Sequence, residues 1–182
     1  VVNLTEVLRE NVRTVSNLIF KLDKIDKVAN IIITAYRNGN KVLICGNGGS
    51  AVDAEHFVAE LVNKFKFDRK GLNAIALSSN NAVITAIGND YNYDEIYSRQ
   101  VIAYANKGDI VIGITTSGKS INILNALDKA EELEAIPILI TGLVDNKYEN
   151  SLTMPSIDTA RIQEAYLLAI HMICEIIEDE LF

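Results

Sequence analysis

Cysteine is scarce in this chain, with only Cys45 and Cys174, far apart and in no Cys-x-x-Cys pair. That excludes the disulfide framework of a small secreted domain and leads us to expect a reducing, cytoplasmic setting. Long apolar runs are missing as well. Stretches such as Ala135 to Ile140 fall far short of the roughly 20 residues that span a bilayer. Glu6, Arg9 and Glu10 stand where a secretion signal needs unbroken apolar sequence, so none is expected. Basic charge is in deficit too: Lys+Arg total 17 against 24 Asp+Glu, a net charge of -7. No basic patch offsets it, so neither a nucleic acid nor a membrane is an expected partner. Linkers, repeat arrays and low-complexity tracts are also lacking.

What is present is a chain of 182 residues, 49% hydrophobic and 23% charged. This size and composition suit one domain over residues 1–182, with one sheet buried between helical layers. From Leu4 to Ile19 the apolar residues recur at three- and four-residue steps, which predicts an amphipathic helix, and a second runs from about Ile25 to Arg37. Asn38-Gly39-Asn40 ends it. Lys41 to Cys45 reads as a strand that opens into Gly46-Asn47-Gly48-Gly49-Ser50 and a helix. Asn73 to Leu77 is the next strand, followed by helical stretches near Asn81 to Ile87 and Asp94 to Ala105. Asp109 to Ile114 repeats the unit, opening into Thr115-Thr116-Ser117-Gly118-Lys119-Ser120 and a helix to about Leu133. Ile136 to Thr141 makes a fourth strand and Ser151 to Pro155 an edge strand, where proline is tolerated. A long helix from Ala160 to Leu181 closes the chain. The alternation predicts an α/β fold, a doubly wound, mostly parallel five-stranded sheet with ligands at the carboxyl ends of its strands.

Both strand-to-helix loops are suited to an anion, because free backbone N–H groups and the helix dipole favour negative charge there. The first loosely matches a dinucleotide fingerprint as Gly46-x-Gly48-x-x-Ala51, but no acid ends the next strand to hold a ribose. Gly113-Ile-Thr-Thr-Ser-Gly118-Lys119-Ser120 matches the triphosphate P-loop letter for letter. It lacks the second strand ending in a magnesium-binding Asp, since Ile136 to Ile140 runs into Thr141-Gly142. Gly113 also lies inside an apolar run, which suggests close packing. No nucleotide cofactor is expected. Thr115, Thr116, Ser117 and Ser120 then offer hydroxyls to one terminal phosphate, the competing meaning being an ordinary helix N-cap.

His56 and Glu60 share one helix face, one turn apart, beside the first loop. Alone, such a pair is more often a solvent-facing contact. His171 lies eight residues after Gln163 on the last helix, about 12 Å along its axis. It sits among Leu167, Leu168, Ile170 and Ile173, as a packed core histidine also would. If the two helices face each other, His56, Glu60, Gln163 and His171 form an N/O set suited to zinc. Glu60 and His171 would then supply a base and an acid.

Taken together, Cys45-Gly-Asn-Gly-Gly-Ser50, His56-Phe-Val-Ala-Glu60-Leu, Gly88-Asn-Asp90, Thr115-Thr-Ser-Gly-Lys-Ser120 and Arg161-Ile-Gln163-Glu with His171 resemble the bacterial phosphoheptose isomerases of the sugar isomerase (SIS) domain superfamily. The resemblance spans nearly the whole chain. It implies isomerisation of sedoheptulose 7-phosphate to D-glycero-D-manno-heptose 7-phosphate, the entry to nucleotide-activated heptose for lipopolysaccharide and other surface glycans. It implies phosphate on Thr115, Thr116, Ser117 and Ser120, and sugar contacts from Asn47, Gly48, Gly49, Ser50, Glu60, Asn89, Asp90 and Gln163. It further implies proton transfer by Glu60 and His171, zinc on His56, Glu60, Gln163 and His171, and a homotetramer with active sites at subunit contacts. Two positions depart from the pattern. Lys64 stands where several relatives have Arg, losing the bidentate fork, and Ala160 replaces an Asp of some relatives. A non-catalytic relative in the superfamily, a replication-initiation factor that binds DnaA, is similar over Asn81 to Val101 and also ends in Leu-Phe. It lacks counterparts of Glu60 and His171.

Overall fold

The computed structural model describes residues 2–182. Five strands, β1 (Val42–Gly46), β2 (Ala74–Ala76), β3 (Ile110–Thr115), β4 (Ile136–Thr141) and β5 (Ser151–Thr153), form one sheet in the order β2-β1-β3-β4-β5. Every pairing is parallel. Helices α1 (Leu4–Ser16), α2 (Leu22–Arg37), α3 (Gly49–Val62), α4 (Asn81–Asp90), α5 (Ser98–Tyr104), α6 (Ile121–Glu132) and α7 (Thr159–Leu181) surround it.

The central strands β1 and β3 are buried along their whole length, as a sheet covered on both faces requires. Alternation within them sorts the two layers. Val42, Ile44, Ile110, Ile112 and Ile114 face a core shared with α2, α3 and α7. Leu43, Cys45 and Val111 face a second core built by α5 and α6. Gly113 pairs with Cys45 and Leu139 inside β3, and a Cβ there would lie 2.6 Å from Ile123 Cγ2. Its role is to let α6 approach the sheet, as its apolar setting predicts.

Several boundaries differ from the sequence reading. The first helix gives way after Ser16 to a 3-10 segment, Asn17–Lys21. This tighter turn buries Leu18 while Ile19 and Phe20 stay exposed. The stretch expected as one helix from Asp94 splits into a 3-10 turn, Tyr93–Glu95, and α5. Ser98 Oγ bonds back to the Glu95 carbonyl and carboxylate, offering the backbone an alternative to continuous helix. The edge strand stops at Thr153, so Pro155 falls outside it.

The strand order changes direction between β1 and β3. Chain leaving β1 through α3 returns on one side as β2, and the next crossover places β3 on the other. The two loops foreseen as anion sites therefore flank one crevice, the place where open parallel sheets bind ligands.

Candidate active site

The β1–α3 loop is held open by Gly48, whose φ of +55° is closed to most side chains. The Tyr97 hydroxyl donates to the Gly46 carbonyl and anchors the turn from below. Asn47 is fixed through its side chain. Its amide and that of Asn122 exchange two hydrogen bonds of 2.9 Å each, and the Tyr93 hydroxyl donates to Asn47 Oδ1 at 3.1 Å.

Opposite stands the Thr115–Ser120 loop. Thr115 Oγ1 lies 3.0 Å from Ser120 Oγ and 3.4 Å from Ser117 Oγ. Ser120 is the N-cap residue of α6 yet makes no side-chain capping bond, so its hydroxyl belongs to the loop cluster and not to the helix end. Asn47, Ser50, Ile114, Thr115, Thr116, Ser117 and Ser120 together line a cavity of about 120 Å³. Small and walled by hydroxyl and amide groups, at the start of a helix, it suits a phosphate group.

The second part of the site lies between α3 and α7, which run in the same direction. Gln163 meets the start of α3, where a Cβ on Gly49 would fall 2.6 Å from Gln163 Nε2. Tyr166 reaches Ser50 and Asp53. Further along, His171 Nε2 lies 3.0 Å from His56 Nε2, and Glu60 Oε1 is 3.4 Å from the same His56 nitrogen. One ligand atom from each of His56, Glu60 and His171 falls within 4.8 Å of the others. Two imidazoles and a carboxylate converging from two helices form a donor set able to hold a metal ion. Phe65 shields one side, its ring centroid 5.5 Å from that of His171.

A buried ion pair sets the far end of this contact. The side chains of Arg69 and Glu178 are each 2% exposed, with Arg69 Nε 2.8 Å from Glu178 Oε1. Glu178 also accepts from the backbone N–H groups of Phe65 and Lys66. The Arg69 guanidinium donates to the carbonyls of Glu60 and Leu61, satisfying the open end of α3 one turn beyond His56. Burial raises the Glu178 carboxyl, but the donors from Lys66, Phe65 and Arg69 outweigh it and hold the group below its ordinary value. Burial pushes the thiols of Cys45 and Cys174 far up, which removes them as nucleophiles.

The structure thus brings together His56, Glu60 and His171, and separately Asn47, Ser50 and the Thr/Ser loop. Gln163 is placed at the start of α3, about 12 Å along α7 from His171. Asn89 and Asp90 stand exposed at the end of α4, bonded to each other at 2.9 Å. Lys64 is exposed just beyond α3. Sequence reasoning missed Asn122, Tyr93, Asp53 and Tyr166, whose roles depend on partners distant in the chain. A weak signal existed for Asn122, a polar residue at the inner start of α6.

Residues 8–142 match the SIS domain family. The chain is 48% identical to the phosphoheptose isomerase of Aliarcobacter butzleri over 163 residues, covering 87% of this chain and 86% of that protein. It is 48% identical to the phosphoheptose isomerase of Clostridium acetobutylicum, covering 88% and 84%. The fold superposes on a phosphoheptose isomerase from Francisella tularensis with a TM-score of 0.87 at 36% identity, covering 98% of this chain and all of that one. On the enzyme from Neisseria gonorrhoeae the TM-score is 0.88 at 34% identity, covering 97% of each. With a doubly wound sheet, a phosphate-sized cavity at its switch point and a His/Glu/His cluster beside it, this chain belongs to the phosphoheptose isomerases of the SIS domain family.

Proposed function

We propose that this chain converts sedoheptulose 7-phosphate to D-glycero-D-manno-heptose 7-phosphate, the first step toward nucleotide-activated heptose. The observation that carries this reading is the convergence of Glu60 and His171, with His56, within 4.8 Å. Proton transfer between adjacent carbons needs a base and an acid reaching one substrate. The phosphate binds to the Thr115, Thr116, Ser117 and Ser120 loop, and Asn47, Gly48, Gly49, Ser50, Asn89, Asp90 and Gln163 hold the sugar.

Moving the carbonyl from C2 to C1 shifts a proton from C1 to C2 and one from O1 to O2. Glu60 takes the C1 proton and returns one to C2. His171 gives a proton to O2 and receives the one leaving O1, which stabilises the enediolate between the steps. The opposite assignment of the two residues satisfies the same balance. His56, Glu60 and His171 fit a metal; Gln163, about 12 Å along α7 from His171, would have to turn its side chain toward them to complete the set proposed for one zinc ion per subunit. When bound through His171 Nε2, that ion would occupy the nitrogen that carries the proton, and would supply positive charge toward the developing oxyanion in place of the His171 proton.

We further propose one SIS domain over residues 1–182, a cytoplasmic location and a homotetramer. No helix among the described residues is long and apolar enough to cross a membrane. The tetramer is supported by apolar side chains left uncovered on the N-terminal segment, including Leu4, Leu8, Val12, Ile19 and Phe20. It is supported also by α4, which has no buried residue. The DnaA-binding reading is set aside because it needs no acid/base pair. Phe182, the last residue of the Leu-Phe pair shared with that factor, places its ring 5.3 Å from the Arg69 guanidinium.

The test is an assay with sedoheptulose 7-phosphate, with and without a chelator, on the wild type and Glu60→Gln. Turnover by the wild type and its loss in the variant are expected. A wild type inactive under every metal condition rejects the isomerase reading.

A further inference from the structure

Ser50 lines the phosphate-sized cavity, but its proton is engaged elsewhere. The Tyr166 hydroxyl lies 2.7 Å from Asp53 Oδ2 and 3.0 Å from Ser50 Oγ. A phenol has one proton to give, and a carboxylate only accepts. The phenol proton therefore goes to Asp53, and the contact with Ser50 can be made only by the serine proton. Tyr166 is fully buried and Ser50 is 4% exposed, so water does not readily replace either partner. Burial first, and the Asp53 charge in addition, hold the phenol in its protonated form.

With that proton engaged, the hydroxyl of Ser50, a residue of the cavity wall, has only lone pairs to offer a ligand. The other wall is different in kind. Thr115, Ser117 and Ser120 share two bonds among three hydroxyls, so at least one proton is left over to turn toward an anion. The cavity is thus divided into a donating wall and one accepting oxygen.

We infer that Asp53 and Tyr166 are positioning residues that fix Ser50 as a hydrogen-bond acceptor, making Ser50 a specificity determinant that takes a ligand hydroxyl near the phosphate and turns away the phosphate oxygens. This rests on the sugar-phosphate reading of the cavity. Its chemical content is selection for a polyhydroxylated phosphate monoester over a bare anion, because a site built to accept from a hydroxyl penalises the analogue that lacks it.

The test uses calorimetric titration of three probes: inorganic phosphate, glycerol 3-phosphate, and propane-1,3-diol monophosphate, which lacks the hydroxyl beside the phosphate-bearing carbon. The wild type is expected to bind glycerol 3-phosphate about 5- to 10-fold more tightly than the diol phosphate, the effect of one hydrogen bond. Ser50→Ala should erase that preference and leave the affinity for inorganic phosphate within about twofold. Tyr166→Phe frees the serine proton and should raise the affinity for inorganic phosphate several-fold, a gain that damage to the fold does not produce. Equal weakening of all three probes in Ser50→Ala, or no gain in Tyr166→Phe, makes Ser50 a phosphate donor and overturns the inference. So does a wild type that does not distinguish the two organic probes. These ratios are measured on non-substrates, so a wild type inactive on sedoheptulose 7-phosphate would reject the isomerase reading without changing them.

Discussion

His56 and His171 face each other through their Nε2 atoms at 3.0 Å, although 115 positions separate them in the chain. A neutral pair can sustain this contact only if one ring donates and the other accepts. A shared metal ion removes that restriction, because both nitrogens then offer lone pairs. With Glu60 3.4 Å from His56 Nε2, zinc is expected to bind at one ion per chain, measured by elemental analysis. His56→Ala and His171→Ala should each weaken binding by at least about 10-fold, the smaller penalty known for disturbing such sites.

Glu60→Gln keeps the size of the side chain and removes its capacity to take a proton. Turnover should fall by about 10²- to 10⁴-fold, with circular dichroism unchanged. A fall in kcat at nearly constant KM separates this role from simple substrate binding.

Ser120→Ala distinguishes a phosphate hydroxyl from a helix cap. Because Ser120 makes no capping bond, Tm should hold, whereas loss of a cap would cost about 1 kcal/mol. The affinity for inorganic phosphate should drop by about 10-fold, the worth of a hydrogen bond to a charged group.

Glu178 ties acid stability to the site. Its carboxyl lies below the ordinary value in the fold, so the unfolded chain binds more protons as pH falls toward the ordinary glutamate value of about 4.3. The stabilisation is complete above that value and is lost as pH drops through the folded one. Glu178→Gln should flatten this part of the stability curve. At neutral pH the variant leaves Arg69 without its anion and should lose about 3 kcal/mol in denaturant titration.

Gly113→Ala would place a Cβ 2.6 Å from Ile123 in a packed core. Its cost should be about 1–3 kcal/mol, read as a lower Tm, even though Ala is the smallest addition available.

Much of this was legible along the chain because it is written in local periods. Continuous burial in β1 and β3, the two strand-to-helix loops and the long α7 all follow from residue order. The grouping of Glu60 with His171 was conditional on two helices facing each other, which no local pattern fixes. Asp53 and Tyr166 were invisible for the same reason: their hydrogen bond spans 113 positions. The helix expected from Asp94 failed at Ser98, whose hydroxyl competes for backbone groups in a way that apolar spacing does not register.

Because α3 and α7 run side by side in one direction, the contacts act as rungs fixed in order: Ser50 with Tyr166, His56 with His171 and, just past the end of α3, the Phe65–Lys66 amides with Glu178. Adding or deleting one residue between two rungs would turn everything beyond it by about 100°. Such a change would leave the sheet intact and the reaction centre dismantled, so insertions that surface loops tolerate should be barred from the middle of either helix.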